Sequence, residues 1–187
     1  MKNIFTSVIC LFLGASILSS CETCEPAVVT QVTQEDIEWL VYKKNDSVIF
    51  SDEAGKKVKY IATHAVSQTV LAEDSDPDDT CFEKLDIETL LVLQDTTNTL
   101  PDLGVYIFKT PAKLDVSPAV ENSEGKVLDL DNPTHETKEI GGMTYYDVYE
   151  IDLIQSKPYS AKKIMFNKDF GYLYIEFYDG KVFTRRP

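Results

Sequence analysis

The sequence predicts a mainly β fold: an antiparallel sandwich or strongly curved sheet of about eight to ten strands, with one short N-terminal helix. Three observations lead there. Apolar residues recur at every second position over short runs, with Val58, Tyr60 and Ala62 on one face of one run and Leu173, Ile175 and Phe177 on one face of another. The runs are divided by tight-turn sequences such as Asp52-Glu53-Ala54-Gly55 and Asp179-Gly180. Helical spacing is carried by Ile37, Leu40 and Val41 alone, behind Thr33-Gln34-Glu35-Asp36, which reads as an N-cap followed by a first turn rich in acidic residues.

In chain order, the first segment is a leader. Lys2 supplies a positive start, Ile4 to Leu18 is an apolar run, and small Ser19 and Ser20 precede Cys21. The run is too short to span a bilayer comfortably. Leu18-Ser19-Ser20-Cys21 resembles the lipobox of bacterial lipoproteins. That resemblance implies removal of residues 1–20, a diacylglycerol on the Cys21 sulfur, acylation of the new amino group, and a site in the cell envelope, most naturally the outer membrane. Residues 21–32 then form the lipidated cysteine and a tether, and residues 33–187 a single β-rich domain. Glu22 and Glu25 near Cys21 loosely resemble signals that send some lipoproteins to the cell surface, but Thr23 and Cys24 separate them, and a plain soluble spacer explains them better.

The chain carries 31 acidic and 18 basic residues, a net charge of −13. Loss of Lys2 with the leader makes it one unit more negative. Nucleic acid and anionic lipid heads are repelled by such a chain, so membrane attachment falls to the acyl chains on Cys21. Of the four cysteines, Cys10 leaves with the leader, and Cys24 and Cys81 remain as an even pair in an oxidising compartment. They either bridge one another or leave Cys24 free in the tether.

After the helix, Val48 to Phe50 and Val58 to Thr63 form a hairpin, and the β-rich run continues through Val66 and Val70. The loop Glu73 to Asp79 spaces Asp74, Asp76 and Asp78 as ligands in a calcium loop, but Asp79 stands where the turn wants glycine and Leu85 where a bidentate glutamate belongs. A solvated acidic loop explains the same residues without metal. Strands follow over Leu85 to Leu93 and Val105 to Lys109. Pro111 to Pro133, broken by Pro111, Pro118, Gly125 and Pro133, reads as a long loop or edge element and a candidate binding lip.

Beyond Gly141-Gly142 two strands are expected, over Tyr145 to Ile154 and Ile164 to Phe166, before a closing hairpin of Tyr172 to Tyr178 and Lys181 to Thr184. In strict alternation Tyr172, Tyr174, Glu176 and Tyr178 share the face away from the core, which makes Tyr172, Tyr174 and Tyr178 a candidate ligand face. Trp39 to Thr63 and Phe166-Asn167-Lys168-Asp169-Phe170-Gly171 with Asp179-Gly180-Lys181 resemble a broad group of uncharacterised bacterial lipoproteins. That resemblance implies a β domain and no catalytic residues.

No nucleophile elbow, phosphate-cradling loop or dinucleotide fingerprint occurs, and no cofactor is expected. His64 and His135 have no partner at metal-ligand spacing. His64 shares parity with Tyr60 and Ala62 and is expected partly buried; His135, beside Glu136, is expected in a surface loop. Together these readings describe a non-enzymatic, lipid-anchored module with a polysaccharide or protein partner. The alternatives are a carrier for lipid or another apolar ligand inside a β cavity and a carboxylate-based hydrolase.

Overall fold

The computed structural model describes residues 27–73, 75, 84–121, 123, 125–154, 157 and 159–187. Residues 1–20, expected as a leader, and Cys21, Cys24, Cys81, Asp74, Asp76 and Asp78 lie outside the described residues.

The described chain is mainly β. One short helix, α1 (Gln34–Ile37), is followed by a 3-10 turn (Glu38–Leu40). Its capping box is complete: Thr33 Oγ1 accepts from the Asp36 N–H at 3.2 Å, and Asp36 Oδ2 accepts from the Thr33 N–H at 2.8 Å. Lys109 at 3.3 Å ties Asp36 to the sheet.

Eleven strands occur among the described residues: β1 (Val28–Val29), β2 (Ser47–Ser51), β3 (Lys57–Leu71), β4 (Lys84–Asp95), β5 (Leu103–Lys109), β6 (Leu114–Val120), β7 (His135–Ile140), β8 (Met143–Asp152), β9 (Ala161–Asn167), β10 (Gly171–Phe177) and β11 (Val182–Arg185). They form one sheet in the order β6-β5-β4-β3-β2-β11-β10-β9-β8-β7, and β1 pairs in parallel with the start of β4. Except for β1 the pairing is antiparallel throughout. Two of these strands, β1 and β7, were not expected, and a third, β6, is the edge element that Pro111 to Pro133 left open as the alternative to a loop. The tether's Val28–Val29 joins the sheet, and Thr30 buries its hydroxyl on Asp86 at 2.8 Å. β6 runs through the supposed loop and tolerates Pro118 because it is a sheet edge, where a missing N–H breaks no ladder bond. β7 is an edge as well, and its charged sequence hides it from a hydrophobic pattern.

The sheet curls until its two halves face each other over one core. Tyr60, Leu91, Leu93, Leu103 and Val105 from one half meet Phe166, Tyr172, Ile175, Phe177 and Phe183 from the other. Tyr172 on β10 is fully buried, and its hydroxyl reaches the Gly104 carbonyl on β5 and Ala119 on β6. At the seam Ser123 Oγ accepts from the Ala161 N–H at 2.8 Å.

Two bulges break the expected alternation. Tyr172 pairs with Phe166 but Tyr174 with Met165, so Leu173 is an extra residue and the faces of β10 exchange there. Tyr172 therefore joins Ile175 and Phe177 in the core, while Leu173 packs with Tyr145, Val148 and Met165 on the other side. The same happens at Thr63 on β3, and His64 is exposed rather than partly buried.

β10 begins at Gly171, whose φ is +75°. A Cβ there would stand 2.3 Å from the Tyr42 hydroxyl. That hydroxyl donates to Phe170 O at 3.0 Å and accepts from the Tyr172 N–H at 2.9 Å. Burial pushes the Tyr42 phenol up to about 12. Beyond Ile61, β3 has a ladder only on its β4 side, so Thr63 to Leu71 present an open edge among the described residues.

Candidate binding groove

Strand directions define two poles. β4 starts beside β1 and runs ten residue steps from Leu85 to Asp95, about 33 Å at strand rise. At the Asp95 end three loops converge: the β2–β3 hairpin, the β4–β5 loop and the β10–β11 hairpin. Between them lies a cleft of about 460 Å³, whose rim includes Asn98, Glu121, Tyr159, Asp179 and Lys181. A second cleft of about 300 Å³ adjoins it and shares Thr99, Leu100, Lys181 and Phe183. They form one open groove over a floor of Phe177 and Phe183, whose rings meet edge to face at 5.1 Å.

The groove's loops are held by backbone-to-carboxylate bonds. Asp95 accepts from the N–H groups of Thr97 (3.0 Å), Thr99 (2.8 Å) and Leu100 (3.2 Å) and from the Thr97 hydroxyl (2.7 Å). Burial alone would make the carboxyl a weaker acid, yet the bonds from Thr97, Thr99 and Leu100 outweigh it and hold its pKa below the usual range. Asn98 turns the loop in the left-handed region at φ 52°, which asparagine tolerates. Asp52 accepts from the Ala54 and Lys56 N–H groups, and Arg186 Nη2 donates to Gly55 O at 2.7 Å, pinning the β2–β3 hairpin.

The groove presents one exposed aromatic ring beside polar groups. Tyr159 is 63% exposed, and Lys181 Nζ stands 5.8 Å above its centre. Asp179 Oδ2 accepts from Lys181 at 2.7 Å, which holds its carboxyl below the usual range. Such a ring can stack on a sugar or planar ligand while the flanking carboxylates, amide and ammonium form hydrogen bonds.

The residues expected to form a ligand face are not brought together. Tyr172 lies in the core, and Tyr174 packs half-buried against the second cluster. Tyr178 is 40% exposed and donates its hydroxyl to Leu153 O at 2.9 Å. The supposed lip Pro111 to Pro133 mostly covers the core: Leu128 is buried, Leu130 packs on the core, and Tyr149 donates to Leu130 O. Of that stretch Glu121 lines the groove. His135 stands in β7, not in a loop, with Glu150 Oε2 2.9 Å from its Nε2; Lys163, then His135, hold the Glu150 carboxyl below the usual range. Among the described residues no group of three or more His, Cys, Asp and Glu could hold a metal ion, and no helix is long and apolar enough to cross a membrane.

Sequence reasoning missed Tyr159, Asn98 and Lys181 as neighbours because they lie on loops joined only by the fold. The run Gly55-Lys56-Lys57-Val58-Lys59, dense in cations within an acidic chain, was the one legible signal of the groove. No known protein family, curated protein or solved structure matches the chain.

Proposed function

We propose that the protein is a lipid-anchored, non-enzymatic binding module of the bacterial cell envelope that holds a saccharide in the groove at the Asp95 end of the sheet. The observation that carries this reading is the exposed Tyr159 ring, on the β8–β9 connection, beside Lys181 and Asp179 of the β10–β11 hairpin at the pole away from β1. Lipid on Cys21 would leave six residues to Ala27, at most about 21 Å of chain, and the groove would point away from the membrane.

The acids in the groove support binding rather than hydrolysis. Asp95 and Asp179 are held ionised by hydrogen bonds, the opposite of the proton-holding acid that glycoside cleavage needs. The filled space between the sheet halves, occupied by Phe50, Tyr60, Phe166 and Tyr172, speaks against an apolar carrier.

Two measurements test the proposal. Labelled palmitate should enter the chain expressed in a Gram-negative host and not its Cys21→Ser variant. Calorimetry of the detergent-purified chain against a panel of polysaccharides should give a binder, with Tyr159→Ala weakening it at unchanged circular dichroism. Label in the serine variant, or a panel without a binder, sinks the corresponding half of the reading.

A further inference from the structure

We infer that the open edge of β3 takes the extended C-terminal tail of another polypeptide as an added antiparallel strand, whose free carboxylate is met by Lys43 and Lys44. The backbone defines the site. The Ala72 N–H bonds Lys84 O at 3.3 Å while the Leu85 carbonyl is turned the other way, to the Thr30 N–H at 2.8 Å. The β3–β4 register therefore directs the N–H and C=O groups of His64, Val66, Gln68, Val70 and Ala72 at β4. Ala65, Ser67, Thr69 and Leu71 direct theirs the opposite way, to a side on which no strand pairs with them among the described residues. All four are exposed, and they span about 20 Å at strand rise. Sheet edges are normally guarded by a charge, a proline or a bulge. From Ala65 to Leu71 there is no Asp, Glu, Lys, Arg or Pro, and the bulge at Thr63 comes before the stretch begins. A row of open donors and acceptors of this length is the template on which an extended peptide adds a strand.

The two ends of the edge differ, and the difference sets the direction of the guest. At the Thr63 end the turn Lys43 to Asp46 closes it: the Ala62 N–H bonds Asp46 O at 2.9 Å, and the Asn45 N–H bonds Ala62 O at 2.8 Å. An antiparallel guest points its C-terminus at this turn and has to stop within about two residues of its pair with Ala65. Lys43 and Lys44 are exposed there, and neither ammonium has a carboxylate within 4.0 Å among the described residues. The turn's own carboxylate, on Asp46, accepts from the Lys43 N–H at 2.8 Å. At the Leu71 end stands Glu73, so a parallel guest would bring its carboxylate to a like charge. In a chain of net charge −13, the closed end with its two lysines is where a terminal carboxylate is accepted. A second copy of the chain fits the edge less well. Antiparallel pairing reverses strand direction, so on the anchored reading only one of the two grooves could point away from the membrane.

The test uses the full chain purified in detergent and a dye-labelled peptide of alternating valine and threonine behind one N-terminal lysine, made with a free C-terminal carboxylate or with an amide. Fluorescence anisotropy follows binding, and light scattering gives the mass of the chain alone. The expected result is saturable binding of the acid peptide and about tenfold weaker binding of the amide, with a similar loss in a Lys43→Gln, Lys44→Gln variant. Ser67→Pro, which removes one outward N–H without touching the β4 ladder, should abolish binding. Both variants are checked for unchanged circular dichroism; if the proline variant fails that check, the glutamine variant decides. An unbound acid peptide, an unaffected folded variant, or acid and amide bound equally overturns the inference. A chain of twice the monomer mass that Ser67→Pro returns to monomer gives the edge to a second copy and overturns it as well. The saccharide reading stands through all of these outcomes, because the groove lies at the other end of the strands.

Discussion

The Tyr172 hydroxyl lies 2.8 Å from the carbonyl oxygen of Ala119 and accepts from the N–H of the same residue at 3.1 Å. One phenol from β10 thereby occupies both polar groups of a residue on β6, an edge strand at the far end of the sheet order. The contact clamps the curl of the sheet. It also explains how a fully buried tyrosine is tolerated in an apolar core.

Tyr172→Phe should accordingly cost about 1–3 kcal/mol, because it strands the Ala119 N–H and the Gly104 carbonyl without a partner while leaving the volume unchanged. Urea titration followed by tyrosine fluorescence reads the change. A loss within about 0.5 kcal/mol would show that the hydroxyl is not a clamp.

Gly171→Ala combines a positive φ with a Cβ placed 2.3 Å from the Tyr42 hydroxyl. A destabilisation on the order of 3 kcal/mol is expected. The double change with Tyr42→Phe should recover only part of it, since the backbone conformation remains unsuited to a side chain. Full recovery would place the whole cost in the clash.

Asp95 makes the groove loop sensitive to acid. Its folded carboxyl titrates below the unfolded value of about 3.9, so its contribution is complete above that value and is lost as the pH falls through the lower folded one. Asp95→Asn should lower stability at pH 7 and flatten the decline below about pH 4. Thermal melts between pH 2.5 and 7 measure both, and an unchanged acid limb counts against the assignment.

The open edge of β3 carries no Asp, Glu, Lys or Arg from Ile61 to Ala72, and Val66 is 51% exposed. Uncharged edges of this kind pair with one another. Ser67→Lys should slow concentration-dependent aggregation, read by light scattering, while moving stability by less than about 0.5 kcal/mol. Equal aggregation in both proteins would point to another surface.

Much of the fold was legible. The capping box at Thr33, the hairpins turning at Gly55 and Gly180, and the alternation in β3 and β10 are local signals, and each produced its element. The bulges at Thr63 and Leu173 were not legible, because one inserted residue leaves no mark in composition yet exchanges every later side chain between faces. Because Ile175 and Phe177 follow that exchange, Tyr172 before it shares their core face and not an imagined binding face. Charge hid β7, and Pro118 left β6 undecided between a loop and an edge element; both features are normal at a sheet edge. The groove was almost illegible, since Tyr159, Asn98 and Lys181 line one cleft only after the sheet has curled.

The place of β11 has a consequence for timing. It lies between β2 and β10, so the two halves of the sheet are joined through a strand whose partner in β2 was made long before; Arg186 and Ser51 bond across 135 residues of sequence. Until β11 arrives, β2 keeps an unpaired edge and the halves share no ladder. Joining of the halves is therefore gated by the arrival of β11, and the waiting intermediate, with the β2 edge unpaired, is the species most exposed to misassociation.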